Sequence, residues 1–194
     1  MTISDSMSSK VRLCAQRIAE SGAPALSGLY DLSSMRLVRF AVTITRNQHD
    51  AEDAVQAALI RVATHVHLLL QSDQPWHYLL RMVRNEALVV LRKKKRWSLI
   101  DNLTDLVTRR TVDQLQQEDT FRQVWLALRT LPIEQREVVV LKIWEDLTFA
   151  QIAQLLDMPL ATVASRYRYA LSKLAGPLRS LFEETQSEEA KHGS

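Results

Sequence analysis

The chain has 194 residues with 46% hydrophobic content, 4 Gly and a formal net charge of +3, enough for one large domain or two small ones. The single cysteine, Cys14, excludes an intrachain disulfide framework, and no apolar run approaches the length of a membrane span. The Ser-rich start lacks an apolar signal core, so a soluble cytoplasmic protein without membrane insertion is expected.

Few stretches alternate as strands do, and the composition points to an all-α chain. Charge is unevenly spread: residues 1–97 hold 14 Lys/Arg against 8 Asp/Glu, whereas residues 98–194 hold 11 against 14. The basic half suits a polyanionic partner. Residues 1–24 read as an N-terminal extension, with a loose amphipathic stretch over 11–19 and a stop at Ser21-Gly22-Ala23-Pro24. A helix is expected over 25–46, with Leu29, Leu32, Val38, Phe40, Ala41 and Ile44 as its apolar positions.

Asp50 is expected to start the next helix, because acids in a first turn suit the positive end of the helix dipole. Ala51, Val55, Ala58, Leu59, Val62 and Val66 form its buried stripe, leaving Asp53, Gln56, Ala57, Ile60 and Thr64 outside. An isoleucine exposed beside acids and an amide suits a protein-docking surface, although a lone exposed apolar residue is also ordinary. A loop over 71–75 precedes a long helix over 76–96 that buries Trp76, Leu80, Val83, Ala87 and Leu91. Its other face aligns Tyr78, Arg81, Asn85, Val89, Arg92 and Arg96 and leads into the run Arg92-Lys93-Lys94-Lys95-Arg96-Trp97. Charges that track a backbone, a ring that stacks and an amide that reads a base edge suit single-stranded nucleic acid. A solvated basic helix end also fits, but the length of the run and the aromatic at its head favour nucleic acid.

Residues 98–118 break the helical pattern and read as a linker; residues 119–129 resume it with Phe121, Val124, Trp125 and Leu128. A helix after Leu131-Pro132 is followed by Thr148 and Gln151, a capping box in which each side chain satisfies a free N–H. Asp157-Met158-Pro159 stops that helix, since proline cannot continue one but suits the start of the next. The following helix buries Val163, Tyr167, Ala170 and Leu174 and shows Thr162, Ser165, Arg166, Tyr169 and Lys173, with Arg168 at the margin. A short helix, a tight turn and a second helix with a polar, basic face make a helix-turn-helix pattern, whose second helix enters the DNA major groove. A plain packed hairpin with a solvated face has the same spacing. One short apolar turn over 178–182 is expected after Gly176-Pro177, and residues 183–194 are expected to be a disordered polar tail.

Both halves resemble bacterial RNA polymerase sigma factors of the extracytoplasmic-function type. The C-terminal resemblance rests on Leu131-Pro132, Gln135-Arg136-Glu137-Val138, Leu147-Thr148, Ile152-Ala153, Leu155-Leu156, Met158-Pro159, Thr162-Val163 and Ser165-Arg166. The N-terminal one rests on Asp50-Ala51-Glu52-Asp53, Val55-Gln56, Arg84-Asn85 and the basic run. The resemblance implies two helical domains joined by a flexible linker. Residues 25–97 would bind core RNA polymerase and the minus-ten element, residues 98–118 would link, and residues 119–182 would read the minus-thirty-five element.

By position it implies Glu52, Asp53, Gln56 and Ile60 as core-docking residues. Tyr78, Arg81, Arg84, Asn85, Arg92 and Arg96 become minus-ten contacts, the loop before the second helix helping to hold a base out of the stack. Thr162, Ser165, Arg166, Arg168, Tyr169 and Lys173 become minus-thirty-five contacts. Ala57, Val89, Ala161 and Ala164 depart from common family residues, while Tyr78 keeps an aromatic where tryptophan is frequent. The partners implied are core polymerase, promoter DNA and an anti-sigma factor on a surface joining the two modules.

No Gly-rich phosphate loop, Cys/His cluster or nucleophile motif is present, so neither an enzyme, a metal site nor a cofactor is expected. Two other readings compete: a helix-turn-helix regulator acting without polymerase, and a protein-interaction adaptor that keeps the fold.

Overall fold

The computed structural model describes the backbone of residues 3–100 and 119–192 and the side chains of residues 4–95 and 124–176. The expected 98–118 linker therefore lies mostly outside the described residues, as does the side chain of Arg96. Among the described residues every regular element is helical, in the order α1 (Ile3–Ser21), a 3₁₀ turn (Ala23–Ala25), α2 (Leu26–Thr45), α3 (Gln48–Thr64), α4 (Val66–Gln71), α5 (Pro75–Ile100), α6 (Asp119–Arg129), α7 (Ile133–Ile143), α8 (Phe149–Leu156) and α9 (Leu160–His192). No helix among them is long and apolar enough to cross a membrane.

The first module is built around α5. Trp76, Leu79, Leu80, Val83 and Ala87 recur at helical spacing and are fully buried, where they meet Leu29, Leu37 and Phe40 of α2 and Ala51, Val55 and Leu59 of α3. The junction of α2 and α3 is set by local chemistry. Arg46 takes a left-handed conformation (φ 59°) and its N–H returns to Val42 O, which ends α2. Asn47 then caps α3, its side chain accepting the Asp50 N–H at 3.0 Å.

Asp50 is thus an interior residue of the first turn and not the start of the helix. It is buried and takes an ion pair from Lys94 at 2.5 Å. The expected continuation of α3's stripe to Val66 is also interrupted, because His65 leaves helical geometry and Val66 opens α4.

The N-terminal extension is not loose. α1 runs for 19 residues and buries Met7, Val11, Ala15 and Ile18 against the rest of the module. At about 25 cal/mol per Å2, four such side chains contribute several kcal/mol, and this packing, more than intrinsic propensity, orders the helix.

In the second module the Thr148–Gln151 capping box forms as expected, with the Gln151 N–H donating to Thr148 Oγ1 at 3.2 Å and the Thr148 N–H to Gln151 Oε1 at 2.8 Å. Asp157 closes α8 in the left-handed region (φ 53°), the Met158 N–H reaches Ala153 O at 3.0 Å, and Pro159 precedes α9. Ile152, Leu155, Leu156, Val163 and Leu174 bury between α7, α8 and α9, and Trp125 stacks at a tilt on Trp144 with ring centroids 5.1 Å apart. The backbone of α9 continues through Gly176-Pro177 to His192, where a stop, a short turn and a disordered tail were expected. The Glu, Gln, Ala and Lys of that segment are strong helix formers, which favours continuation over the break that one proline invites.

The modules pack together, α2 against α7 and α5 against α8. Glu145, 3% exposed, accepts from Trp76 Nε1 and from Arg36 Nη2, both at 2.8 Å. Arg84 Nε and Nη2 donate to Glu137 at 2.9 and 3.2 Å. Arg81 donates to Leu155 O at 3.2 Å and to Gln154 O. The Arg39 guanidinium lies 5.7 Å from the centroid of the Trp144 ring.

Candidate nucleic-acid interface

Three surfaces carry the residues singled out by the sequence. The first is the outer face of α3, where Glu52, Asp53, Gln56 and Ile60 are all exposed on one side, Ile60 at 56%. They face away from the core because Ala51, Ala54, Val55, Ala58 and Leu59 point inward. Gln48 donates to Glu52 at 2.9 Å, which orders the acid. A groove of about 490 Å3 runs from this face to α2, with Tyr30 and Met35 on its other wall. Those two are 54% and 71% exposed. Neither was among the expected docking residues, although apolar residues outside α2's buried stripe were the available signal.

The second surface lies on α5. Tyr78, Arg81 and Asn85 line a crevice of about 380 Å3 together with Arg61, His65 and Leu68. It offers a ring, an amide and three nitrogen-rich side chains around a space large enough for a base, so stacking and edge hydrogen bonding are both available. Arg61 also pairs with Glu86 at 3.1 Å, which fixes its position at the rim. Arg92, Lys93 and Lys95 extend the positive surface past the crevice, all of them exposed, while the charge of Lys94 is met by Asp50. Arg61 and His65 were not expected here because they belong to the end of α3, a different element from the aligned face of α5.

Arg84 does not join this crevice. It turns to the seam between the modules and binds Glu137, whose carboxyl is pushed up by burial, with Arg84 opposing the shift. Arg81 stands at the lip but spends its guanidinium on the last carbonyl oxygens of α8, groups with no partner inside that helix. In this arrangement the second module occupies two of the expected nucleic-acid contacts.

The third surface is the start of α9. Arg168, Tyr169 and Lys173 are exposed, with the Arg168 guanidinium 5.7 Å from the centroid of the Tyr169 ring. Thr162 and Ser165 are half-buried, and Ser165 Oγ donates to Thr162 O at 2.9 Å. Arg166 leans back to the α8–α9 turn, Nη1 lying 3.4 Å from Met158 Sδ, and its charge helps to offset the upward shift at Glu137. The helix thus presents Arg168, Tyr169 and Lys173 outward and turns Arg166 toward the seam.

Known proteins share both halves. Residues 29–97 match the family described as Sigma-70 region 2, and residues 121–174 match Sigma-70, region 4. The chain is 28% identical over 166 residues to the ECF RNA polymerase sigma factor SigL of Mycobacterium tuberculosis, covering 84% of this chain and 94% of that protein. It is 30% identical over 175 residues to the ECF RNA polymerase sigma factor SigE of Mycolicibacterium smegmatis, covering 86% of this chain and 66% of that one. Its fold is similar to that of the sigma factor RpoE in complex with the anti-sigma factor NepR from Bartonella quintana, with TM-score 0.67, 22% identity and coverage of 79% of this chain and 96% of that one. Two region matches in order, and relatives aligned along most of the chain, place it in one family: the chain belongs to the extracytoplasmic-function sigma factors, non-catalytic initiation factors that join RNA polymerase.

Proposed function

We propose that this chain directs promoter-specific transcription from two DNA elements, acting in the cytoplasm with core polymerase. The observation that carries the reading is the α5 crevice, where Tyr78, Asn85, Arg61 and His65 surround a base-sized space at the head of an exposed basic run. A base extruded from the minus-ten strand would stack on Tyr78 and be read by Asn85, while Arg92, Lys93 and Lys95 track the backbone. Extrusion costs a few kcal/mol, which these contacts offset.

The exposed face of α3, with Glu52, Asp53, Gln56 and Ile60, docks on core polymerase, and Tyr30 and Met35 enlarge the apolar part of that surface. The start of α9 enters the major groove at minus thirty-five, Arg168 and Tyr169 reaching base edges and Lys173 a phosphate. Arg81, Arg84 and Arg166 act once the modules separate. The packed arrangement is then an inactive one, and an anti-sigma partner bridging both modules would hold it.

Run-off transcription of fragmented genomic DNA with cognate core polymerase, with and without the protein, tests the reading. Discrete new starts sharing two upstream elements are expected. Duplex DNA binding without core, and no new starts, would instead favour a regulator that acts alone. Core binding without new starts would favour an adaptor.

A further inference from the structure

α1 carries two adjacent stripes. Met7, Val11, Ala15 and Ile18 face the core. Beside them Ser4, Ser8 and Arg12, each four residues from the last, face the segment that joins α4 to α5. Ser4 Oγ and His77 Nε2 share a hydrogen bond at 2.6 Å, and Ser8 Oγ donates to Gln74 Oε1 at 2.8 Å. Arg12 donates from Nη1 to Leu70 O at 3.1 Å and from Nη2 to Ser72 O at 2.8 Å and Asp73 O at 3.2 Å. As α1 advances from residue 4 to 12, its partners run backward from 77 through 74 to 70–73, so the helix lies along the segment as a splint.

The chemistry is that of a fixed loop. The end of α4 leaves carbonyl groups without partners inside the helix, and a guanidinium fork can satisfy several of them while its charge suits the negative end of the dipole. Both serine hydroxyls are buried, a cost that only their hydrogen bonds offset. Burial holds His77 below its usual value, Asp5 opposing, which favours the neutral ring against Ser4. The segment so held ends at Tyr78, which forms a wall of the base crevice. Its Ser72, Asp73, Gln74 and His77 line a neighbouring groove of about 200 Å3 that also reaches Arg81.

We propose that Ser4, Ser8 and Arg12 of α1 are positioning residues for minus-ten recognition: they set the shape of the 70–77 segment, and through it the base selectivity of the Tyr78 crevice. This rests on the reading of that crevice given above. A loose segment would still allow docking and duplex contacts but would blur discrimination between bases, since a small misplacement of recognition groups is felt strongly.

The test uses the full chain assembled with core polymerase. Arg12→Ala, Ser8→Ala and Arg12→Lys are compared with wild type for affinity to core, for binding of minus-thirty-five duplex, and for open-complex formation on promoters substituted singly through the minus-ten element. Arg12→Ala is expected to reduce the preference for the best minus-ten sequence over its substitutions by about tenfold, with core and duplex affinities within about twofold of wild type. Ser8→Ala, which leaves no large void and favours helix, should show a smaller loss of the same kind, and Arg12→Lys a partial recovery.

Unchanged selectivity in both Arg12→Ala and Ser8→Ala overturns the proposal. So does an equal fall in core binding, duplex binding and selectivity, which marks general destabilisation. A wild-type holoenzyme without any minus-ten preference overturns the parent reading as well, and that is seen before a variant is made.

Discussion

Arg84 and Glu137 join the two modules through a two-pronged ion pair, at 2.9 and 3.2 Å, with the carboxylate almost wholly buried and the guanidinium side chain 20% exposed. Removing the acid leaves a cation that can still swing to water, so the closed arrangement loses more than the open one. Glu137→Ala should therefore shift the balance between them by on the order of 1–3 kcal/mol. Small-angle scattering is expected to show a larger radius of gyration, and single-stranded minus-ten DNA should bind more tightly. Glu137→Gln keeps one hydrogen bond to Arg84 and should open the chain less. An Ala variant as compact as wild type would remove this pair from control of the seam.

The same carboxyl makes a pH prediction. Burial raises its pKa above the usual carboxylate value, with Arg84 opposing, so the folded chain holds that proton more tightly than the unfolded chain. Stability from this group is fully present below the ordinary value and is lost as pH rises through the raised one. Most carboxylates give the opposite slope, so the measurement is the difference in melting temperature between wild type and Glu137→Gln across that window. Wild type should lose ground to the variant as pH rises. A flat difference would mean that the Arg84 pair fully offsets burial.

What could be read beforehand divides by sequence separation. The α8 cap and the turn at Asp157-Met158-Pro159 depend on residues three to five apart, and both form where the sequence leads one to expect them. The seam joins Arg36 to Glu145 and Arg84 to Glu137, 109 and 53 residues apart, and no periodicity carries such information. The expected helix face of Tyr78, Arg81, Asn85 and Arg92 did not include Arg84. That residue entered through family resemblance, and here it points to the seam. The stretch over 11–19 was legible as amphipathic, but the first half of α1 was not, because its core stripe begins at Met7 and its serines dilute the apolar signal.

Ile60 offers the cleanest probe of docking. It stands 56% exposed among Glu52, Asp53 and Gln56, so changing it disturbs little of the fold. Ile60→Glu should leave the melting temperature near wild type while weakening core polymerase binding by about 2 kcal/mol or more, the size of an interface hot spot. Met35→Glu, across the groove, should act in the same direction. Equal core affinity for wild type and both variants would take the α2–α3 groove out of the docking surface.

Arg168 and Lys173 separate base reading from charge. Both are exposed on the outer face of α9, but Arg168 is held over the Tyr169 ring, which limits where its fork can point, and Lys173 is a flexible point charge. Arg168→Ala should cost about 1–3 kcal/mol on the preferred minus-thirty-five duplex and relax selectivity at one base pair. Lys173→Ala should weaken all duplexes alike and lower the slope of log affinity against log salt by about 1. Binding measured over a salt series, on the preferred duplex and on singly substituted ones, distinguishes the two. If Arg168→Ala instead weakened every sequence equally, its guanidinium would be a phosphate contact, and Tyr169 would remain as the exposed base reader at the start of the helix.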